Sequence, residues 1–322
     1  MGHGPFDVVH VGSASRDIAD EDPRGWRLGG GVTYAALATA RLGLRTAAVV
    51  GVDELAATAR ELDQLRDAGV DLLLVPLDEG PVFHNLETPS GRRQTALAVG
   101  RPVRPMPLPE SWRRARAWSF TPVAGELGDD WAEVADPEAV VAVGWQGMLR
   151  TLVAGGPVTR LAPAERALLR RADLVGMSHH DVEPDTPLAA LAAYLHPGAR
   201  LLVTQGHLGG LLIDVTAAGP ASTLRYLPTR TDREVDATGA GDTFLAALLT
   251  ATIRPSALGL MRRRVGADLR FAAAAGSLAV EGIGLDGVPD LLAVRARALR
   301  ERVRRLVVPS ADAQVTVETP IG

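Results

Sequence analysis

The chain has 322 residues, 47% of them hydrophobic, with 34 basic against 38 acidic residues, a formal net charge of −4 and no cysteine. That length suits one large α/β domain or two smaller ones with a sizeable apolar core. The missing cysteine excludes disulfides and thiolate metal sites, no apolar run reaches the ~18 residues of a membrane span, and the scattered basic residues speak against a nucleic-acid surface. Every basic side chain is arginine, which rules out the GxxxxGK[ST] phosphate loop and its lysine. The N-terminus lacks the basic-then-apolar layout of a signal peptide, so a cytoplasmic protein is expected.

Along the chain, short apolar runs alternate with longer segments of helical period, the pattern of parallel βαβ units. Strands are predicted at 7–11, 46–50, 72–76, 117–121, 139–143, 174–177, 201–204 and 210–215. Helices are predicted at 32–41, 56–68, 129–134, 163–171, 188–195, 243–252, 262–281 and 291–306. The fold class is therefore α/β, a central and mostly parallel sheet flanked by helices. Two segments interrupt the rhythm. Residues 15–27 are polar without a helical period. Residues 82–103 alternate around Pro89-Ser90-Gly91 and read as a β-hairpin. Residues 307–322 read as a loose tail.

The most informative stretch is Asp236-Ala237-Thr238-Gly239-Ala240-Gly241-Asp242-Thr243-Phe244, immediately before an apolar helical run. Small residues there leave the turn's N–H groups uncovered, and the helix adds its own unpaired N–H groups and positive dipole end. Such a turn binds anions, phosphate above all. Asp242 puts a negative charge where an anion would dock. It is either a plain helix N-cap or a base that takes a proton from a nucleophile while Gly239, Ala240, Gly241 and Asp242 N–H groups stabilise phosphoryl oxygens. A carboxylate of ordinary pKa near 4 is ionised at pH 7, so that role needs no large shift. Upstream, Asp17 suits a pair of vicinal hydroxyls, since each carboxylate oxygen accepts one, or it caps a turn. His179 and His180 lack a third ligand, which leaves a transition-metal site without support. Val11-Gly12-Ser13-Ala14-Ser15-Arg16 does not supply the GxGxxG of a dinucleotide-binding dehydrogenase.

The nine-residue stretch resembles the C-terminal signature of the ribokinase-like carbohydrate kinases, the phosphofructokinase B (PfkB) family. Leu28-Gly29-Gly30-Gly31-Val32-Thr33-Tyr34-Ala35-Ala36-Leu37-Ala38 resembles that family's N-terminal Gly-Gly segment, and Val8–Asp17 its first strand and sugar loop. Two signatures in order, about two hundred residues apart, cover most of the chain. The resemblance implies one kinase domain over 1–306, with segments 13–28 and 80–103 forming a small β lid over the acceptor site. It implies ATP and Mg²⁺ as donor and metal, a monovalent cation in some members, a sugar or polyol as substrate, no nucleic-acid or membrane partner, and dimerisation through the lid as a further expectation. Asp242 becomes the base, with Gly239, Ala240 and Gly241 as the anion hole. Asp17, Gly29, Gly30 and Tyr34 become acceptor residues, and Thr204, Gly206, Thr238, Gly239, Gly241 and Gly282 donor residues. Short matches at 83–94 and 146–150 resemble a branch that includes inositol kinases and add Arg93, Gln146 and Arg150 as contacts to the acceptor or a phosphate already on it, or as braces of the lid.

The chain departs from the family at two places. Tyr34 stands where many members carry a sugar-binding asparagine. Ser178-His179-His180-Asp181 stands where members carry Asn-x-x-Glu, which leaves Asp181 to act on Mg²⁺ through water. The expected activity is phosphoryl transfer from ATP to a hydroxyl of a sugar or cyclitol. A nucleoside or sugar-phosphate acceptor, or a non-catalytic sugar-binding regulator, are the other readings.

Overall fold

The computed structural model describes residues 6–88, 91–227, 231 and 233–306. The proposed tail at 307–322 and the hairpin tip at Pro89-Ser90 lie outside the described residues.

In chain order the elements that position the site are β1 (Val8–Ser13), β2 (Ser15–Ile18), β3 (Trp26–Gly29), α1 (Gly31–Arg41), β4 (Thr46–Val52), α2 (Glu61–Asp67), β5 (Asp71–Pro76), β6 (Pro81–Thr88), β7 (Gly91–Val99), β8 (Ala117–Phe120), β9 (Val140–Gly144) and α3 (Ala167–Arg171). They continue with β10 (Leu174–Ser178), α4 (Leu188–Ala192), β11 (Arg200–Thr204), β12 (Gly210–Thr216), β13 (Gly219–Tyr226), α5 (Ala240–Ile253), α6 (Ala267–Ala279), α7 (Leu291–Ala298) and β14 (Val303–Leu306). A ten-stranded sheet runs in the order β14-β13-β12-β11-β10-β9-β8-β1-β4-β5. From β5 to β11 every pairing is parallel, and β11 to β14 pair antiparallel.

The sheet is buried on both faces, as parallel strands with crossover helices require. On one face Trp118, Phe120, Trp131 and Trp145 form a large aromatic layer, each almost fully buried. The other face is covered by α1, α5 and α6, whose alanines permit close approach. A Cβ on Gly276 of α6 would lie 3.1 Å from the Phe244 ring and 3.4 Å from the Ala240 carbonyl oxygen. The start of α5 is therefore wedged between α1 and α6.

A second sheet combines β2, β3, β6 and β7 with the short strand Gly156–Pro157. The segments predicted as lid thus pair with one another, joined by a strand that the sequence does not signal.

Several expectations change. The segment 56–68 is not one helix, since a single turn at Ala56–Thr58 is separated from α2 by extended Ala59; Asp129–Glu133 is a 3-10 turn, and 163–166 stay outside α3. Residues 291–306 do not form one helix: α7 stops at Ala298, and 303–306 pair with β13 as the edge strand. Gly266, in the left-handed region at φ 60°, delays α6 to Ala267, so 262–266 are not helical. The basic residues are also not all scattered. Exposed Arg262, Arg263 and Arg264 gather near exposed Arg300, Arg302, Arg304 and Arg305, where Arg264 donates to the Leu299 carbonyl and a Cβ on Gly266 would meet Val303 at 2.7 Å.

Candidate active site

The site forms beyond the C-terminal ends of parallel strands, where open α/β sheets place their ligands. Asp17 lies on β2, paired opposite Arg27 of β3. Its Oδ1 accepts from Ser15 Oγ at 3.1 Å, and its Oδ2 rests on the Gly29 backbone, where any Cβ would come within 2.3 Å. Gly30, the N-cap of α1, has φ 99°, and a Cβ there would lie 2.4 Å from the Ser13 carbonyl oxygen. Both backbone conformation and space therefore exclude a side chain.

The next residue, Gly31, joins the two signatures. A Cβ on Gly31 would lie 2.6 Å from Asp242 Oδ1. The carboxylates of Asp17 and Asp242 thus sit over Gly29 and Gly31, two residues apart, although 225 residues separate them in sequence.

Asp242 occupies the first turn of α5, whose N-cap Gly239 is left-handed at φ 76°. The turn is narrower than the sequence implies. The Ala240 N–H donates to the Ala237 carbonyl at 3.3 Å. Among the described residues the Gly239 and Gly241 N–H groups take no backbone partner, and Gly241 has nothing within 4 Å of where a Cβ would stand. With the Ala240 N–H engaged, the two glycine amides are the donors best placed at the positive end of α5. Asp236 braces the turn: one oxygen accepts from the Thr238 N–H at 2.9 Å and the other from the Gly284 N–H at 3.0 Å.

Asp242 does not keep an ordinary pKa. Burial pushes it up to about 6, against the pull of nearby Arg150, with the Asp181 carboxylate adding to the rise. At pH 7 it remains about nine-tenths ionised.

Asp181 is buried at the end of β10. Its Oδ2 accepts from the Ser178 N–H at 2.7 Å, which with the His180 N–H on Ser178 Oγ makes a capping box, and its Oδ1 accepts from Gln146 Nε2 at 3.2 Å. Gln146 therefore braces Asp181 through its amide nitrogen. The His179 and His180 ring centroids lie 3.8 Å apart with the rings tilted by 37°, and His179 Nδ1 meets the Thr204 carbonyl at 3.1 Å. Among the described residues no group of three histidines, aspartates or glutamates forms a metal cluster. The Asp181 carboxylate, close enough to Asp242 to act on its charge, is the oxygen group here that could meet a hydrated cation carried in on phosphates.

On the donor side, Thr204 ends β11 with its hydroxyl on the Met177 carbonyl, and exposed Gly206 begins the turn beyond. Gly282 has a packing reason to be glycine, since a Cβ would lie 2.5 Å from Gly287 Cα.

Two acceptor expectations are revised. Arg93 pairs with Leu86 on the outer face of the lid hairpin and is exposed. The opposite face carries Phe83 and Ala96, packed on Val123, and in the same alternation Asn85 and Gln94, joined by a 2.8 Å hydrogen bond. Those two amides, not Arg93, face inward. Tyr34 is 3% exposed, and its ring lies against Gly239 rather than lining an open pocket.

Glu126 carries no sequence signal at all. Fully enclosed, it accepts from the N–H groups of Ser13 (2.9 Å), Val123 (3.1 Å) and Ala124 (2.8 Å), tying the ends of β1 and β8 beneath the site. Burial pushes its carboxyl up, and these N–H groups pull it back.

The segment 157–290, which contains the anion turn, matches the pfkB family carbohydrate kinases. The fold is ribokinase-like. A pyrophosphate-dependent kinase in the ribokinase family, solved with a pyrophosphate analog and myo-inositol, superposes with TM-score 0.64 at 18% identity, covering 87% of this chain and 98% of the other. Arabidopsis thaliana ribokinase, complexed with ribose and ATP, gives 0.62 at 19% identity, covering 91% and 99%. Methanocaldococcus jannaschii nucleoside kinase gives 0.63 at 15% identity, covering 92% and 100%. By sequence, no curated protein matches. Family match and ribokinase-like fold together indicate a carbohydrate kinase, a phosphotransferase with an alcohol group as acceptor.

Proposed function

We propose that this ribokinase-like chain transfers the γ-phosphoryl group of ATP to a hydroxyl of an uncharged sugar or cyclitol, with Asp242 as base. One observation carries the reading: the Asp242 carboxylate stands over Gly31 of the acceptor loop and at the head of the Gly239–Gly241 anion turn. An acceptor hydroxyl held by Asp17 would reach the base, and phosphoryl oxygens would meet the glycine N–H groups and the positive end of α5. Asp242 takes the hydroxyl proton as the oxygen attacks, so its charge is spent as the new P–O bond forms. Mg²⁺ on the donor phosphates would neutralise developing charge, with Asp181 meeting it through water.

The inward amides of Asn85 and Gln94 favour a neutral polyol, since they donate and accept without bringing charge. Turning Arg93 outward removes one cation that a sugar phosphate would want. The test is product formation from ATP and Mg²⁺ over a panel of sugars, cyclitols, nucleosides and sugar phosphates. Tight acceptor binding with no phosphorylated product from any donor would leave only a sugar-binding regulator. Asp17→Ala is expected to raise the acceptor KM at least tenfold and leave donor affinity within about twofold. Gln94→Leu should raise the acceptor KM about 3–10-fold, the worth of one neutral hydrogen bond. An unchanged acceptor KM in both variants would refute this pocket.

A second reading concerns the donor. Pyrophosphate would use the same anion turn and Arg150 with no call on an adenosine pocket, and the structural neighbour solved with a pyrophosphate analog motivates it. Parallel assays with ATP and inorganic pyrophosphate separate the two, because only one should support turnover at micromolar to millimolar concentration.

A further inference from the structure

We infer that Tyr34 is a positioning residue for the phosphoryl-binding turn, and not an acceptor ligand. The inference rests on the kinase reading above. Gly31 and Tyr34 are three residues apart on α1, and Gly239 and Asp242 are three residues apart at the head of α5, so each pair lies on one side of its helix. The two sides meet residue for residue. Gly31 lies under the Asp242 carboxylate, and Tyr34 lies under Gly239, where a Cβ would fall 2.1 Å from ring atom Cδ1, 2.3 Å from Cε1 and 2.4 Å from Cγ.

The aromatic ring is therefore the floor of the left-handed residue from which α5 starts. Its hydroxyl end reaches toward Gly284, 3.8 Å from where that residue's Cβ would stand. Gly284 is the residue whose N–H is held by Asp236, at the other end of the same turn. Tyr34 thus touches the anion turn at Gly239 and approaches the loop that anchors Asp236. At 3% exposure it offers almost no surface to a sugar.

The consequence is mechanical. Gly239 has no side chain of its own, and its φ of 76° is a conformation it can leave readily once unsupported. A rigid flat ring beneath it fixes where the Gly239 and Gly241 N–H groups point. Because α1 begins at the acceptor loop, the same ring ties the placement of the acceptor to the placement of the transferred phosphoryl group. Misplacement by about 1 Å at such a point can cost on the order of 10² in rate.

The test is a kcat-against-KM split in Tyr34→Phe and Tyr34→Leu, assayed with the donor that supports turnover and with myo-inositol or whichever panel acceptor is phosphorylated fastest. Tyr34→Phe, which keeps the ring, is expected within about threefold of the parent in both constants. Tyr34→Leu, which keeps an apolar filling but no flat floor, is expected to lose about 10–100-fold in kcat with acceptor KM within about twofold. A Tyr34→Leu variant within threefold of parental kcat would overturn the inference. So would a tenfold rise in acceptor KM at unchanged kcat in Tyr34→Phe, which would make the hydroxyl an acceptor ligand. A parent protein with no phosphoryl transfer from either donor would sink the kinase reading alone. The Tyr34 inference would then be decided by titration with inorganic pyrophosphate, where Tyr34→Leu should bind about tenfold more weakly than the parent and equal affinity would overturn it.

Discussion

Asp242→Asn is expected to lower kcat by about 10²–10⁴ while leaving donor binding nearly intact, and to make the unliganded protein more stable at pH 7. The two effects have one cause. Burial holds the Asp242 pKa near 6, against 3.8 for a solvated aspartate. A carboxyl whose folded pKa is raised costs the fold nothing below pH 3.8 and progressively more as pH rises through 6, where the folded protein must carry the desolvated charge. Asparagine removes that cost. The gain is on the order of 1–3 kcal/mol above pH 6, the upper figure being the full shift at ~1.36 kcal/mol per unit and the lower allowing for partial exposure to the cleft. It should shrink to about a fifth of that by pH 4 and vanish near pH 3. In the parent, kcat/KM should fall tenfold per pH unit below about 6 as Asp242 of the free protein protonates. Urea denaturation at pH 4 and 7, beside the pH–rate profile, checks all three. A substituted enzyme within tenfold of parental turnover would end the base assignment.

Glu126→Ala is expected to destabilise the protein by about 2–4 kcal/mol and to raise the acceptor KM. The alanine leaves the buried N–H groups of Ser13, Val123 and Ala124 without an acceptor, at about 1–3 kcal/mol for each that water cannot reach. Those groups belong to the strand ends beneath the acceptor loop: Ser13 contributes the carbonyl that faces Gly30, and Thr121, just before Val123, faces Gly31. Loosening them moves Asp17 and Asp242 relative to each other. Glu126→Gln keeps one carbonyl oxygen but turns an NH₂ toward the remaining donors, and should fall between parent and alanine. Equilibrium denaturation gives the first effect and acceptor KM the second. A loss under ~0.5 kcal/mol in Glu126→Ala would show that water or another acceptor reaches these amides.

The strands of the parallel core were legible because each is a short apolar run closed by a turn residue, and burial on both faces permits nothing else. The edge was not legible. Residues 299–306 continue the helical pattern of α7, yet 303–306 leave it to pair with β13, because a partner strand supplies hydrogen bonds that a local period cannot anticipate. Arg93 was misread for a related reason. Its neighbours alternate, but which side of the hairpin faces the cleft depends on Phe83 and Ala96 packing against Val123, about thirty residues further on. Glu126 left no trace, since its function lies entirely in whose N–H groups surround it.

The sequence by itself determined the make-up of the turn before α5. From Asp236 to Phe244 the ingredients are local, glycine at the position with positive φ, small residues and an apolar helix to follow, whereas the hold of Asp236 on Gly284 and the ring against Gly239 come from elsewhere. It likewise determined that Gly29, Gly30 and Gly31 form a bare entrance to a helix. Only the tertiary structure decided that these two stretches face each other, with Gly31 under Asp242 and the Tyr34 ring under Gly239. It alone decided that Asp242 titrates near 6, because desolvation and the fields of Arg150 and Asp181 come from residues that share no segment with it. Backbone conformation is settled by near neighbours along the chain, whereas a buried charge and a packed ring answer to whatever the fold brings alongside them.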